Sequence, residues 1–400
     1  MVALFWVSCA IVAYVYLGYP ALLALWARLR PLPAPLLPSE RPGVSIVIAA
    51  RNEGSRLAAR LDNLLQLEYP ANRRQIIVVS DGSTDNTLAV LNRYRSVVDI
   101  VAVKAGGKAL ALNAGVLRAR HDILVFADAR QVFAPDALVE LTAPFRDARI
   151  GAVTGELLLD AESPGRRVGA IDRRRNSGDV ADGRGERRVN AERRRTIAST
   201  IADGVGLYWR YEKRIRHFES MIGSTLGATG AIYAIRRSLW RPLPAETILD
   251  DVLAPMRVVL AGYRTVFSER AHAFDRAAPN ADVEMNRKIR TIAGNYQILR
   301  LEPRLLLPWR NPVWLQYVSH KMGRLVVPYA LLALVISSIA IADRSFLYAT
   351  ALIAQAVFYA LAVYGAWLER RDRIVGGRAE ALAAAWPTAS SRERRGVLNA

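Results

Sequence analysis

Two hydrophobic runs in this chain end in polar side chains, a pattern typical of parallel β-strands. The run Gln75–Val79 is followed by Ser80, Asp81 and a Gly-Ser-Thr-Asp turn, and the run Val44–Ala49 is followed by Ala50-Arg51-Asn52-Glu53. Open α/β sheets bind their ligands just outside the carboxyl ends of their strands. These two strand ends therefore predict a ligand site along one edge of a sheet.

Strand-like and helix-like segments alternate through the first third of the chain. Further strands are predicted at Ile100–Val103 and Ile123–Ala127, and apolar residues at helical spacing, such as Leu57, Leu61 and Leu64, lie between the strands. This alternation is typical of βαβ units. The predicted fold class is α/β, with a mostly parallel sheet flanked by helices, accompanied by transmembrane α-helices.

Three segments are long and apolar enough to span a bilayer, which takes about 20 residues. They are Val2–Trp26, Leu325–Ala342 and Ser345–Leu368. Arginines follow the first and third segments, and the excess of basic residues on the cytoplasmic side places the N-terminus outside and the large middle region in the cytoplasm. Pro312–Gly323 is amphipathic and predicts a helix in the membrane interface, with an ordinary core helix as the alternative.

These features predict a domain organisation in six parts. In order along the chain, they are an N-terminal transmembrane helix (1–27), a proline-rich linker (28–42), a cytoplasmic catalytic domain (43–300), an interfacial helix region (301–324), two transmembrane helices (325–368) and a basic cytoplasmic tail (369–400). We expect an integral protein of the cytoplasmic membrane.

The chain is strongly basic, with a formal net charge of +19. Such an excess favours anionic lipid headgroups, phosphorylated substrates or nucleic acid. Residues 160–200 are rich in arginine and poor in large apolar residues, which predicts a flexible insertion. They lack the interleaved aromatic residues that stack on bases, so we expect no nucleic-acid partner. The single cysteine, Cys9, excludes a disulfide framework and a cysteine zinc site.

Four aspartates are candidates for the chemistry of the site, namely Asp81, Asp128, Asp250 and Asp251. A carboxylate at a strand end accepts hydrogen bonds from a base or a ribose, or binds a divalent cation on a diphosphate. Helix capping is the alternative; it fits Asp128 poorly and stays open for the pair Asp250-Asp251.

Several common enzyme classes lack their motifs in this chain. No Gly-x-Gly-x-x-Gly follows the first strand, and Gly106-Gly107-Lys108 lacks the upstream glycine of a phosphate-binding loop. His-Glu-x-x-His and Gly-x-Ser-x-Gly are also absent from the sequence. These absences argue against a dinucleotide oxidoreductase, a phosphate-loop NTPase, a zinc hydrolase and a serine esterase.

Four motifs together resemble those of family 2 glycosyltransferases. In order, they are Ala50-Arg51-Asn52-Glu53, Asp81-Gly82-Ser83-Thr84-Asp85, Gly107-Lys108-Ala109-Leu110-Ala111-Leu112-Asn113 and Phe126-Ala127-Asp128. The chain is similar to the membrane-bound members, such as cellulose, chitin and hyaluronan synthases. The resemblance extends from Val44 to about Leu299, leaving out the arginine-rich insertion.

This resemblance implies a GT-A fold and an inverting transfer of a hexosyl or N-acetylhexosaminyl group. The donor is expected to be a nucleotide-diphosphate sugar, with UDP as the nucleotide, and the acceptor a polysaccharide or a lipid-linked glycan at the cytoplasmic membrane face, with membrane lipid as a further partner. Asp251 corresponds to the general base, with Asp250 beside it. Donor binding is expected of Arg51, Asn52, Glu53, Asp81, Lys108 and Asp128. The acceptor and diphosphate are expected to contact Gly230, Arg236, Arg237, Arg287 and Arg290.

The chain departs from the family pattern at two positions. Arg130 stands where the second metal carboxylate is expected, so Asp128 is the one predicted ligand of a Mg²⁺ or Mn²⁺ cofactor and metal dependence stays open. Arg287-Lys288-Ile289-Arg290-Thr291 stands where processive synthases carry Gln-x-x-Arg-Trp. A processive synthase and an impaired, nucleotide-sugar-binding scaffold of an export assembly therefore remain as alternatives.

Overall fold

The computed structural model of the chain describes residues 1–30, 41–160, 210–276 and 281–385. Most of the predicted linker, the predicted insertion beyond residue 160 and the end of the basic tail lie outside the described residues.

The catalytic region is built on one mixed sheet of eight strands in the order β3-β2-β1-β4-β7-β6-β8-β5. Strands β3, β2, β1 and β4 are parallel; β7 is antiparallel to both β4 and β6, β6 is parallel to β8, and β5 is antiparallel to β8. The strands are β1 (Val44–Ala50), β2 (Arg74–Asp81), β3 (Asp99–Val103), β4 (Ile123–Ala127), β5 (Val132–Phe133), β6 (Ile150–Asp160), β7 (Ile232–Arg236) and β8 (Arg264–Arg276). The four strands predicted first are confirmed, and the later strands make the sheet mixed.

The described residues form the helices α1 (Val2–Ala13), α2 (Tyr19–Leu29), α3 (Gly54–Leu65), α4 (Thr87–Asn92), α5 (Lys108–Val116), α6 (Ala137–Thr142), α7 (residues 210–222), α8 (Asp250–Leu260), α9 (Ala281–Leu301), α10 (Trp314–Gln316), α11 (Gly323–Ile341) and α12 (Phe346–Ala385). Helices α3 and α5 pack on opposite faces of the parallel part of the sheet.

Successive residues of β1 point to opposite faces, as the period of a strand requires. Ile46 packs in the cluster that contains α3, and Val47 packs in the cluster that contains α5. Gly115 brings α5 close to the sheet, since a Cβ there would lie 2.5 Å from Val47. Both faces are buried, which explains why the strands read as continuous apolar runs.

Three helices among the described residues are long and apolar enough to cross a membrane. They are Val2–Leu29, Trp314–Arg344 and Phe346–Leu368. The predicted interfacial region 301–324 overlaps the second of these helices. The overlap arises because α10 continues through a π-helical turn, Tyr317–Met322, into α11. The chain divides into two compact units, one from Val15 to Leu325 and one made of Met1–Tyr14 with the chain from Val326 onward.

Candidate active site

The first part of the site is a loop held by Asp81 at the end of β2. The Asp81 carboxylate accepts the backbone N–H of Gly106 at 2.7 Å and that of Gly107 at 3.0 Å. Gly82 has φ +59° and a Cβ there would lie 2.6 Å from the backbone nitrogen of Ala105, so the close approach of the two loops requires a glycine. Asp81 thereby fixes the start of α5 and the position of the next residue, Lys108.

Lys108 is the centre of the site. Its Nζ lies 3.0 Å from Oδ1 of Asp128, which follows β4, and 3.2 Å from Oδ1 of Asp250, the first residue of α8. Burial alone lowers the pKa of Lys108, but the surrounding carboxylates outweigh it and raise the pKa above its ordinary value. Lys108 is therefore permanently charged, and it lies between the residue that follows β4 and the first residue of α8.

Asp250 is fully committed to this network. It is 4 % exposed, and its second oxygen accepts the hydroxyl of Tyr233 at 3.1 Å. Burial and the nearby carboxylates raise the pKa of Tyr233, so this tyrosine stays a neutral donor. Tyr233 was not predicted, because it reads as one apolar residue of strand β7.

Asp251 differs from its neighbour because its carboxylate has no partner within the described ranges of the chain. The side chain makes no hydrogen bond or ion pair with any described residue, although its backbone carbonyl accepts the N–H of Ala228 at 2.6 Å. Burial, followed by the charge of Asp250, raises the pKa of Asp251 to about 6 despite the opposing charge of Lys108. The carboxylate lies against Gly230, where a Cβ would be 2.8 Å from Oδ2.

The structure thus brings together Lys108, Asp128, Asp250, Asp251 and Gly230. Four separate elements supply them: the start of α5, the end of β4, the start of α8 and the turn before β7. Asp81 joins this group through the loop that it holds rather than by direct contact. The site thus combines a fixed cation (Lys108), a carboxylate without a described partner (Asp251) and a glycine (Gly230) whose backbone lies directly against that carboxylate.

The residues after β1 border the loop that follows Asp81. Asn52 has φ 56° and its Oδ1 accepts the backbone N–H of Thr84 at 2.8 Å, while the N–H of Glu53 bonds to Oγ1 of Thr87 at 3.0 Å. Arg51 is exposed. These predicted donor-binding residues line the same sheet edge as Asp81.

The structure does not bring Arg236 and Arg237, predicted to contact the acceptor or the diphosphate, into the group around Lys108. Strand β7 runs antiparallel to β4, which pairs Ile232 with Ala127 near the site and Arg236 with Ile123 at the opposite edge. There Arg236 donates to the carbonyls of Phe145 and Ile150, and Arg237 donates to the carbonyl of Ala119. Both arginines tie loops to the far end of the sheet.

The predicted cations on α9 border the loop that leads into α8. Arg290 donates to the carbonyl of Ile248 at 3.2 Å, two residues before Asp250, and its side chain is otherwise exposed. Gln297 supports the same loop by accepting the N–H of Ile248 at 2.9 Å. Arg287 lies about one helical turn before Arg290, on the same helix.

The side chains around Asp128 do not by themselves make a metal site. Asp128 is paired with Lys108, and the Arg130 guanidinium is 3.1 Å from Asp275. In the part of the chain that the structure describes, no group of three His, Cys, Asp or Glu side chains is placed to hold an ion. Asp128 would supply one protein ligand, and a Mg²⁺ ion held this way would take its other oxygen ligands from the diphosphate and from water.

Comparisons with known proteins agree with the motifs. Residues 45–216 match the family model described as glycosyl transferase family 2. The chain is 33 % identical over 120 residues to the poly-beta-1,6-N-acetyl-D-glucosamine synthase of Staphylococcus aureus (strain COL), which is 29 % of each chain. It is 34 % identical over 117 residues to the synthase of the same name from Staphylococcus epidermidis, which is 28 % of each chain. The alignment thus spans less than a third of these curated relatives.

A solved structure shares the fold along nearly the whole chain. The mannosyltransferase PcManGT from Pyrobaculum calidifontis, in complex with GDP-Man and Mn²⁺, superposes with a TM-score of 0.64, covering 96 % of this chain and 100 % of that one. The sequence identity is 20 %, so the likeness concerns the fold. The predicted GT-A class of fold is confirmed.

Proposed function

We propose that this chain, a glycosyltransferase with a family 2 domain related to polysaccharide synthases, moves a sugar from a nucleotide-diphosphate donor to a hydroxyl group of a polysaccharide or lipid-linked acceptor, with inversion. The observation that carries the proposal is the pairing of two adjacent aspartates with different environments. Asp250 is paired with Lys108, and Asp251 is an uncommitted carboxylate whose pKa is raised to about 6.

Asp251 suits the role of general base in such a transfer. The acceptor oxygen attacks the anomeric carbon, the bond from that carbon to the diphosphate oxygen breaks, and the hydroxyl proton passes to the Asp251 carboxylate. The nucleoside diphosphate leaves with the bonding electrons. A carboxyl group with a pKa near 6 is ionised at neutral pH and is a stronger base than an ordinary aspartate.

Lys108 supports the leaving of the diphosphate. Preorganised cations stabilise charge that develops in a transition state, and they do so best where water is excluded. Lys108 is held by Asp128 and Asp250, so its position is set before the donor binds. Because this chain offers one paired carboxylate as a metal ligand, we assign no step to a metal ion and treat metal dependence as a prediction to be measured.

A panel of nucleotide sugars would identify the nucleotide and the sugar of the donor. Full-length protein in lipid nanodiscs would be incubated with UDP-glucose, UDP-N-acetylglucosamine or GDP-mannose, with and without Mg²⁺ or Mn²⁺, and nucleotide release followed. We expect release from a UDP-sugar. Release from GDP-mannose alone, the donor bound by PcManGT, would correct the nucleotide; release from no donor would contradict the proposed function.

A processive synthase is the second candidate, favoured by the similarity to the two poly-beta-1,6-N-acetyl-D-glucosamine synthases of Staphylococcus. Thr291 stands where such enzymes carry the tryptophan that stacks on the acceptor sugar, and this favours single additions. Product length separates the two candidates: long polymer supports processivity, and one added sugar contradicts it. If the chain is instead an impaired scaffold of an export assembly, we expect it to bind the donor without releasing nucleotide.

The proposal includes a membrane orientation. The basic residues after the first and third apolar segments favour the cytoplasm for the catalytic region and the outside for the N-terminus. The donor would then be drawn from the cytoplasm.

A further inference from the structure

A polar cavity lies within the unit Val15–Leu325, and Ala228, whose N–H bonds to the backbone of Asp251, is one of its lining residues. Helix α7 and the π-helical turn Tyr317–Met322 supply its polar walls, and the segment before Gly230 supplies a backbone wall. The lining residues used below are Glu212, Arg216, Glu219, Ala228, His320 and Lys321.

The cavity and the site share the segment that contains Ala228. The N–H of Ala228 donates to the backbone carbonyl of Asp251 at 2.6 Å, and Gly227 packs against Val252 on the first turn of α8. The charge of Lys321, on the opposite wall, acts on the Asp251 carboxylate. A molecule in this cavity would therefore contact the segment that is bonded to Asp251, the base that we assign to the acceptor hydroxyl.

Glu219 presents an unsatisfied oxygen in this cavity. The residue is 1 % exposed, and its Oε1 accepts the hydroxyl of Tyr19 at 2.8 Å and lies 2.7 Å from Nδ1 of His320. Its Oε2 is buried and has no hydrogen-bond partner in the part of the chain that the structure describes. Leaving a buried carboxylate oxygen unpaired is costly, which points to a donor group supplied from outside the chain.

Two cations on the walls also have unused hydrogen-bonding capacity. Arg216 donates through Nη1 to Thr229 at 2.7 Å and pairs with no described carboxylate, and Lys321 makes no hydrogen bond or ion pair with a described residue. Glu212, in contrast, is paired with Arg324 and lies 3.6 Å from His320. Among the described residues, Oε2 of Glu219 is thus an acceptor without a hydrogen-bond or ion-pair partner, and Arg216 and Lys321 keep donor capacity that no described carboxylate uses.

This combination matches hydroxyl groups better than phosphate. A hydroxyl donates one hydrogen bond and accepts others, whereas phosphate oxygens at neutral pH mainly accept. A phosphate would leave Oε2 of Glu219 unpaired and place like charges together. Tyr19 and His320, which both contact Glu219, belong to two of the helices that are long and apolar enough to cross a membrane, and this favours a membrane-associated acceptor.

We infer that this cavity binds hydroxyl groups of the acceptor's terminal sugar, with Glu219 accepting and Arg216 and Lys321 donating hydrogen bonds. This inference rests on the proposed glycosyl transfer. It assigns acceptor recognition to side chains outside the four family motifs.

The test compares acceptor and donor kinetics of full-length protein in nanodiscs. The probes are octyl glycosides of glucose, N-acetylglucosamine and mannose, with undecaprenyl phosphate as the phosphate acceptor. Glu219→Gln keeps Oε1 for Tyr19 and His320 and removes the charge at Oε2. We expect it to raise the KM for the octyl glycoside that the wild type uses by about 10-fold or more, the effect of losing a charge-assisted hydrogen bond.

Readouts on the donor side separate this inference from the proposed function. The KM for the nucleotide sugar and the slow nucleotide release without acceptor are expected to stay within about 2-fold of the wild type. Glu68→Gln, at an exposed carboxylate outside both sites, is the matched control. Lys321→Met tests the opposite wall and should raise the same KM in a protein whose described packing it leaves intact.

Three outcomes would overturn the inference. One is an unchanged glycoside KM in both cavity variants, and another is a wild type that glycosylates undecaprenyl phosphate and no glycoside. The third is a wild type that releases no nucleotide from any donor, which would contradict the proposed function itself and is seen before any variant is made.

Discussion

Nζ of Lys108 lies 3.2 Å from Oδ1 of Asp250, and the next residue, Asp251, keeps its carboxylate uncommitted. One ion pair thereby gives two neighbouring aspartates different chemistry. Asp250 holds the cation and accepts the Tyr233 hydroxyl, and its charge helps to raise the pKa of Asp251. Asp250 therefore has an electrostatic role, and Asp251 has the proton-accepting role.

The pH dependence of the reaction follows from Asp251. A general base must be ionised, and the pKa of this carboxyl is raised to about 6 by burial and by Asp250. We expect kcat/KM to fall as the pH drops through about 6 and to level off above it. Initial rates between about pH 5 and about pH 8 measure this. A profile flat over that range would contradict the assignment.

Asp250→Asn and Lys108→Met should move the acid limb of that profile in opposite directions. Removing the like charge of Asp250 lowers the pKa of Asp251, so the limb shifts to lower pH. Removing the positive charge of Lys108 raises that pKa, so the limb shifts to higher pH. Both variants are expected to lose turnover, so the position of the limb is the informative readout. Shifts in the same direction would argue against the network.

Gly230→Ala should impair catalysis through the position of the base. Its Cβ would lie 2.8 Å from Oδ2 of Asp251, too close for an unchanged side chain. We expect kcat to fall by about 10-fold or more, since small displacements of reacting groups are costly. Gly365→Ala on α12 is the matched control, because a Cβ there meets nothing within 4 Å. Equal activity of the two variants would contradict the placement.

Asp81→Ala should weaken donor binding more than it slows the chemical step. It removes both acceptors for the N–H groups of Gly106 and Gly107 and so releases the loop that precedes Lys108. Two lost charge-assisted hydrogen bonds predict a donor KM raised by about 10-fold or more. Titration with the donor nucleotide measures the affinity directly, and unchanged affinity would show that the loop does not depend on Asp81.

Local sequence patterns predict the parallel half of the sheet and its carboxylates well. Buried strands such as Gln75–Val79 are apolar on both faces and end at a polar residue, so their limits and the position of Asp81 follow from the sequence. The position of Lys108 between Asp128 and Asp250 does not follow from the sequence, since it depends on where the first residue of α8 lies relative to the first residue of α5.

The misplaced arginines show the limit of such patterns. Strand β7 (Ile232–Arg236) ends at the first of these arginines, and its direction in the sheet is set by long-range pairing with Ile123–Ala127. The antiparallel pairing carries Arg236 to the far edge of the sheet and keeps Gly230 near Asp251. The buried hydrogen bonds of Glu219 could not be predicted from local patterns either, because its partners Tyr19 and His320 are about 200 and 100 residues away along the chain.

Asp251→Asn tests the central claim most directly. The amide preserves the shape of the side chain but cannot take the acceptor proton, so we expect kcat for transfer to fall by about 100- to 10,000-fold. Affinity for the donor nucleotide should change little, because Lys108, Asp128 and Asp250 remain. Asp136→Asn, at an exposed aspartate, is the matched control and should retain full activity. An Asp251→Asn enzyme that transfers sugar at close to the wild-type rate would contradict the account.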